Sequence, residues 1–433
     1  MARVRRRLGP RLKAEAVRLE VGSHLRNWSS NRLKRRLQGS HAYYLLSSFL
    51  KSRYEWKQVN RRFLSIAAPG PSRGRALLSL ANTPFFLKPG QPISLAHTQD
   101  WEVFQMAKLF LDLSYDVDVV HYRNTSFVPY ADYTVFVDVR HNLERIAKLI
   151  NGDCLRVMHA DAAHYLVHNE GEARRLLELR KRRGVALRPQ RLMPPNSAIE
   201  HAHCMTILGN EFTIDSYRYA GKPIYRVPVS TSVLYPWPER KDFDAVRRSF
   251  MWFGSGGLVH KGLDLVLDAF AGMPEYHLTV CGPVGENSPE TDFIAAYRRE
   301  LYETPNIHAV GWVDVDSTKF VELANSCVGL VYPSCSEGGG ASALACMHAG
   351  MIPLLTYEAS VDIEPSYGVI FESASVEDIR RSIRSVAERP AEELRRMAHG
   401  AWEFARANHT KERFAREYER VMTEILAKHG KPA

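Results

Sequence analysis

Pro333-Ser334-Cys335-Ser336-Glu337-Gly338-Gly339-Gly340 follows an apolar run at 328–332 and opens an alanine-rich stretch that reaches Gly350 and then Met351-Ile352-Pro353. The run reads as a buried parallel strand and the stretch from Ala341 as a helix. Between them lies a small polar turn with one carboxylate and three glycines. Glycine lets a backbone come close to a ligand, and the free N–H groups of a helix start attract an anion, typically a phosphate. A carboxylate beside them can accept hydrogen bonds from hydroxyl groups. The stretch therefore predicts a strand end that delivers an acid and a bare helix N-terminus into a ligand cleft.

The same alternation extends on both sides. Strands are expected at 250–253, 277–281, 307–310, 328–332 and 352–355, with helical patterns at about 262–272, 290–303, 317–325 and 341–349. Val-, Ile- and Leu-rich strands spaced by helices imply a parallel sheet covered on both faces. An earlier unit starts near residue 75, with strands at 75–81, 117–122, 133–139, 154–159, 205–208 and 224–228. Its helices are expected at about 101–113, 143–150 and 172–183. Between the two units, the stretch from Ser232 to Lys241 holds two prolines and reads as a linker. The C-terminus shows only helical patterns, at 375–388, 391–407 and 411–428. The expected fold class is α/β, with two Rossmann-like parallel-sheet domains facing a cleft and ligands at the carboxyl ends of the strands. The expected division is a basic extension at 1–70, domains at 71–235 and 245–410, and a C-terminal helix at 411–433.

A second ligand-shaped turn supports this cleft. Phe253-Gly254-Ser255-Gly256-Gly257 ends the first strand of the second unit, and His260-Lys261-Gly262 opens its helix. A Gly-rich turn with a lysine at a helix start is a diphosphate cradle. Such turns also occur as plain tight turns. Two of them at one sheet edge are hard to explain by folding alone.

Composition narrows the class. The chain has 433 residues, 45% hydrophobic and 24% charged, as in an ordinary soluble globular protein. It holds no apolar run long enough to span a bilayer, and its basic N-terminus lacks the apolar core of a secretory signal. Six cysteines lie in or beside apolar runs without a C-x-x-C pair, which predicts reduced, buried thiols and a cytoplasmic location. The net charge of +10 is uneven: residues 1–70 carry 17 Lys/Arg against three acids, so the rest of the chain is slightly acidic. Clusters such as Arg5-Arg6-Arg7 and Lys34-Arg35-Arg36 alternate with leucines, and Tyr43, Tyr44, Leu45, Leu46, Phe49 and Leu50 follow. One reading is attraction to an anionic membrane surface, at about 1 kcal/mol per basic residue near the headgroups. A solvated arm is the other. No nucleic-acid-binding motif accompanies the charge, so no nucleic-acid partner is expected.

From about 250 to 425 the chain resembles the family 4 retaining glycosyltransferases of the GT-B fold, with a group 1 type C-terminal domain. The resemblance rests on Gly254 to Gly262 with Leu263-Asp264 and Ala269-Phe270, on Gly311-Trp312-Val313, and on Pro333-Ser334 through Glu337-Gly338 to Met347, Gly350 and Pro353. The stretch from Phe404 to Leu426 looks like the family's closing helix, which often crosses back to the first domain. The resemblance implies an acceptor-side first domain and a nucleotide-sugar-binding second domain. It implies Lys261 on the donor diphosphate with the backbone of Ser255, Gly256 and Gly257 beside it. It further implies Glu337 on the donor sugar hydroxyls, and Gly338, Gly339, Gly340, Ala341 and Ser342 around the sugar or phosphates. His159, in Met158-His159-Ala160-Asp161, looks like the histidine placed near the transferred sugar, with His164 and His97 as other candidates and a structural role open for each. No obligatory cofactor or metal is implied, only a nucleotide diphosphate sugar as donor substrate.

Two departures stand out. The family usually has a second glutamate where this chain has Ala345, and often an arginine where it has Gly256. The second acid normally grips the nucleotide ribose, and the arginine adds a phosphate counter-charge. Asp-Val-Asp at 116–118 and 314–316 resembles the metal motif of another glycosyltransferase fold, but one overlaps a strand start and the other precedes a helix, where acids are favoured.

The expected activity is transfer of a hexose from a nucleotide diphosphate sugar, with retention, to a cell-envelope or lipid-linked saccharide, as in polysaccharide biosynthesis. The expected location is the cytoplasm, with the basic arm on the inner face of the membrane. Two alternatives remain: a non-catalytic nucleotide-sugar- or glycan-binding protein on a degenerate GT-B scaffold, motivated by Ala345 and Gly256, and a GT-B nucleotide-sugar epimerase, which needs a pair of acid/base carboxylates in the cleft.

Overall fold

The computed structural model describes residues 59–60, 63–285 and 288–429. Most of the basic arm, including its aromatic cluster at 43–50, lies outside the described residues.

The first domain carries a seven-stranded sheet of β1 (Phe63–Ile66), β2 (Arg75–Leu80), β3 (Asp116–His121), β4 (Val135–Asp138), β5 (Leu155–Ala160), β6 (Cys204–Ile207) and β7 (Ile224–Arg226). Its order is β1-β3-β2-β4-β5-β6-β7. All pairs are parallel except β1 on β3. The second domain is an all-parallel sheet of β8 (Ser249–Phe253), β9 (His277–Cys281), β10 (Ile307–Gly311), β11 (Gly329–Tyr332), β12 (Ile352–Leu355) and β13 (Val369–Ile370), in the order β10-β9-β8-β11-β12-β13. The inner strands of each sheet are buried along most of their length, as their apolar-rich sequences require. The edge strands β1, β7, β10 and β13 are largely half-buried or exposed.

In each sheet the chain winds first one way and then the other. The reversal falls between β2 and β4 in the first sheet and between β8 and β11 in the second. Such switch points are where open α/β sheets leave a crevice. The Gly254 and Pro333 turns leave the two strands that flank the second switch point, which explains why they meet.

Seven helices matter for the site: α1 (Thr98–Asp112), α2 (Tyr165–Arg183), α3 (Leu263–Ala271), α4 (Ala341–His348), α5 (Val376–Ala387), α6 (Ala391–Asn408) and α7 (Lys411–His429). The last returns to the first domain, as the resemblance implies. Phe414 meets Trp101 of α1 edge-on at 6.1 Å, and Tyr418 meets His159 at 6.0 Å. The linker has no helix or strand, yet it is pinned: Lys241 Nζ donates to the carbonyls of Ala324 and Gly350 at 3.0 Å each.

Three differences from the sequence reading have physical reasons. β1 lies within the stretch read as basic extension; next to Arg61 and Arg62, its four residues carried too little pattern to stand out. Helix α2 begins two turns earlier than expected, because Gly171 lowered the apparent helical propensity there. That glycine has a packing role: a Cβ on it would lie 2.9 Å from the carbonyl oxygen of Cys335 in the opposite domain. The helix expected at 290–303 breaks at Tyr297 into Thr291–Ala296 and Arg298–Tyr302. Tyr297 is buried against Phe293 at 4.8 Å.

The domains are clasped through α2. Arg182 Nη2 meets Asp264 at 2.7 Å, and Arg183 Nη1 meets Asp268 at 2.7 Å and Glu300 at 2.9 Å. Nearer the cleft, His168 Nδ1 lies 3.1 Å from Ser336 Oγ.

Candidate active site

The two strand ends bring Lys261 and Glu337 into direct contact. Lys261 Nζ lies 2.6 Å from Glu337 Oε1 and donates to the Tyr332 hydroxyl at 2.8 Å. Tyr332 and Ser334 donate to the same carboxylate oxygen at 2.8 and 3.0 Å. The lysine is 4% exposed. Burial lowers the Lys261 ammonium, with the Glu337 charge opposing. Burial also works against the Glu337 carboxylate, but Lys261, His260 and Arg191 outweigh it and hold the carboxyl well below its ordinary range. Glu337 is therefore ionised, an acceptor only. Its Oε1 takes all three contacts, and Oε2 accepts none from the described residues. That second oxygen is left for a ligand.

A cavity of about 520 Å³ opens at this pair, between the carboxyl edges of the two sheets. Ligand pockets typically measure about 300–1,000 Å³, so this cavity is of ligand-binding size. Ser255, Lys261, Glu337, Gly338, Gly339, Gly340, Ala341, Ser342 and, from the first domain, His159 all line it. The N-terminus of α4 thus faces the same space as the lysine. Ala345 lines it as well, so the departure from the second glutamate lies inside the cavity.

Gly256 and Gly257 are placed differently. The Gly257 and Leu258 amides donate to Glu290, at 2.6 Å for Gly257 and 3.0 Å for the closer Leu258 contact. A Cβ on Gly256 would lie 3.5 Å from the same carboxylate. Neither glycine lines the cavity. A carboxylate of this chain occupies the amide nest of that turn.

His159 is buried, and its Nδ1 lies 2.8 Å from Thr206 Oγ1. Burial lowers it to about 4, so its imidazole is neutral. His97 also lines the cavity. His164 does not; it caps α2, accepting from the Leu166 amide. Asp116 and Asp118 both pair with Arg75, at 3.3 and 3.0 Å.

The sequence reading missed three cavity residues. Asp161 pairs with Arg140 at 2.5 Å. Arg191 reaches in from the first domain. Glu102 of α1 is 3% exposed and accepts from the Ser230 amide at 2.9 Å and its hydroxyl at 2.8 Å. Burial raises Glu102 from 4.5 to about 7, and the Ser230 bonds oppose this only in part. Folding therefore takes up a proton here between pH 4.5 and 7, and stability falls as pH rises through that window. Glu102→Gln is expected to leave thermal stability unchanged near pH 4 and to raise it at pH 8, by at most roughly 3 kcal/mol. Equal melting temperatures of the two proteins at pH 8 would refute this.

Residues 247–403 match the family model described as Glycosyl transferases group 1. No curated protein matches the sequence. Among solved structures, the chain is similar to sucrose-phosphate synthase from Thermosynechococcus elongatus, with TM-score 0.57 and 13% identity over 82% of this chain and 99% of that one. It is also similar to Anabaena Alr3699/HepE in complex with UDP and glucose, with TM-score 0.51 and 11% identity over 82% of this chain and 100% of that one. WaaG, a glycosyltransferase involved in lipopolysaccharide biosynthesis, gives TM-score 0.50 and 15% identity over 80% of this chain and 99% of that one. At these identities the likeness speaks to the fold, two parallel-sheet domains in the GT-B arrangement. The second domain of this GT-B protein, residues 247–403, is therefore similar to the group 1 glycosyl transferases.

Proposed function

We propose that the protein transfers a hexose from a nucleotide diphosphate sugar to a saccharide acceptor with retention at the anomeric carbon. The observation that carries this is the buried Lys261–Glu337 pair beside the α4 N-terminus in a cavity between two sheet edges. The group 1 family supports glycosyl transfer in general. In this reading Lys261 and the α4 amides stabilise the charge developing on the leaving diphosphate, the preorganised electrostatics that dominate many active sites. The free Oε2 of Glu337 orients the sugar through its hydroxyls. His159, neutral and fixed by Thr206, faces the transferred sugar. No side chain needs to act as a covalent nucleophile, because the acceptor attacks from the face the diphosphate leaves. The acceptor is a cell-envelope or lipid-linked saccharide, and the basic arm holds the enzyme at an anionic membrane surface. None of the helices of the described residues is long and apolar enough to cross a membrane.

Incubation with a panel of UDP-, GDP-, TDP- and ADP-sugars is expected to release nucleoside diphosphate from one donor. Glu337→Ala is expected to lower that release at least a hundredfold, the scale of losing an oriented, charge-assisted contact in the transition state. Ala345 inside the cavity favours a second reading, a binding protein on this scaffold. Binding of a nucleoside diphosphate without release from any donor, with or without lipid-linked saccharides, would select it.

A further inference from the structure

We propose that Arg191, delivered from the first domain, is the second cation of the donor diphosphate site and stands in for the charge that Gly256 does not supply. The proposal rests on the donor reading above and adds the residue that completes it.

The charge balance of the cavity demands such a group. Lys261 is already matched by Glu337 at 2.6 Å, so the pair together is neutral. A diphosphate brings several negative charges into the cavity, and a charge taken out of water without a partner is costly. Arg191 and Lys261 are the two Lys/Arg side chains lining the cavity among the described residues. Arg191 makes no ion pair and no side-chain hydrogen bond with any described residue, so its five donors are available. An arginine fork suits two phosphate oxygens at once.

Its position is built. After α2, Gly184 turns the chain back in a left-handed conformation, and the following segment runs without helix or strand to Ser197. Side chains of α2 fix this segment by its backbone. The Glu172 carboxylate accepts from the Gln190 amide at 2.7 Å and from the Arg191 amide at 3.0 Å. His168 Nε2 lies 2.8 Å from the Arg191 carbonyl oxygen, and Asn169 makes a two-way pair with the Met193 backbone at 2.8 Å each. Such a set of bonds to a segment outside regular structure locks it in place.

The stem of Arg191 then crosses Gly257. A Cβ on Gly257 would fall 2.6 Å from Arg191 Cγ and 2.9 Å from Cδ, and the glycine sits at φ +88°. Gly257 is thus the slot that admits the arginine. Its charge is felt at both site residues: it helps lower Lys261 and Glu337.

The test is titration of the full-length protein with UDP, GDP, TDP and ADP, and with the matching monophosphates, at low and high salt. Arg191→Ala is expected to weaken the best nucleoside diphosphate about tenfold to a hundredfold, the scale of a charge-assisted hydrogen bond. The monophosphate should change far less, and the diphosphate-to-monophosphate preference should collapse. Arg191→Lys, which keeps the charge without the fork, should recover only part of the loss, and the salt dependence should be shallower in Arg191→Ala. Glu172→Ala, which frees the segment, should weaken binding in the wild type and add little in Arg191→Ala. Wild-type diphosphate affinity in Arg191→Ala, with binding lost in Lys261→Ala, would overturn the role of Arg191 alone. Failure of the folded wild type to bind any of the four diphosphates would overturn the donor reading and this proposal with it.

Discussion

Lys261→Ala is expected to abolish measurable transfer and to destabilise the protein. Two effects add. The diphosphate loses a direct cation in the transition state, and removing one such group typically costs about a hundredfold to a thousandfold in rate. The variant also leaves Glu337, half-buried at the cavity wall, without its counter-ion. Breaking a fully buried pair costs about 3–5 kcal/mol, and the cost here is smaller because the cavity admits water. The pH dependence separates this account from general damage. Glu337 is held below its ordinary 4.5 in the fold, so the pair's contribution is fully present above that value. It is lost as pH falls through the folded value. The stability gap between wild type and variant should therefore be widest near neutral pH and shrink in acid. A gap that stays constant from pH 7 to pH 3, or a variant of wild-type activity, would contradict the assigned pairing.

Gly338→Ala is expected to cut activity by about a hundredfold through geometry alone. A Cβ at position 338 would fall 1.8 Å from the carbonyl oxygen of Asp161 and 2.6 Å from the Ala162 amide nitrogen. Both are backbone atoms at the end of β5, so no side chain can rotate away. Either the Glu337 turn retreats or the domains part at this seam. Overpacking of this kind costs about 1–3 kcal/mol, and a displacement of about 1 Å in a reacting constellation can cost a hundredfold in rate. The measurement is kcat/KM beside small-angle scattering: reduced turnover with an opened cleft, or with a retracted turn in a crystal, is expected. Wild-type turnover would show that the seam does not position Glu337.

The inner strands were legible because each is a short, apolar-rich run, and burial on both faces leaves few other uses for such runs; the edge strands β1, with four half-exposed residues, and β13, with two, were not. Lys261 and Glu337 were legible for a related reason: each follows a strand through glycines, and strand ends at a switch point are where ligands bind. What could not be read is what tertiary contacts decide. Arg191 sits in Arg188-Pro189-Gln190-Arg191, which has the look of an ordinary polar loop; only Glu172, His168 and Asn169 turn it toward the cleft. Glu102 lies inside a helix pattern, and its acid becomes unusual only because Ser230 and the cavity wall enclose it. Gly256 and Gly257 read as a cradle for a ligand phosphate, and the structure sets Glu290, over thirty positions later, against their turn. A local pattern has no information about which acid returns to fill a nest.

A crystal structure of the protein with the nucleoside diphosphate of its best donor decides whether Lys261 and the α4 N-terminus hold the diphosphate. The diphosphate is expected in the cavity between the two domains, within hydrogen-bond distance of Lys261 Nζ and the first amides of α4, with Glu337 Oε2 facing the space the sugar would fill. A nucleotide bound elsewhere, or a diphosphate turned away from Lys261, would contradict that placement.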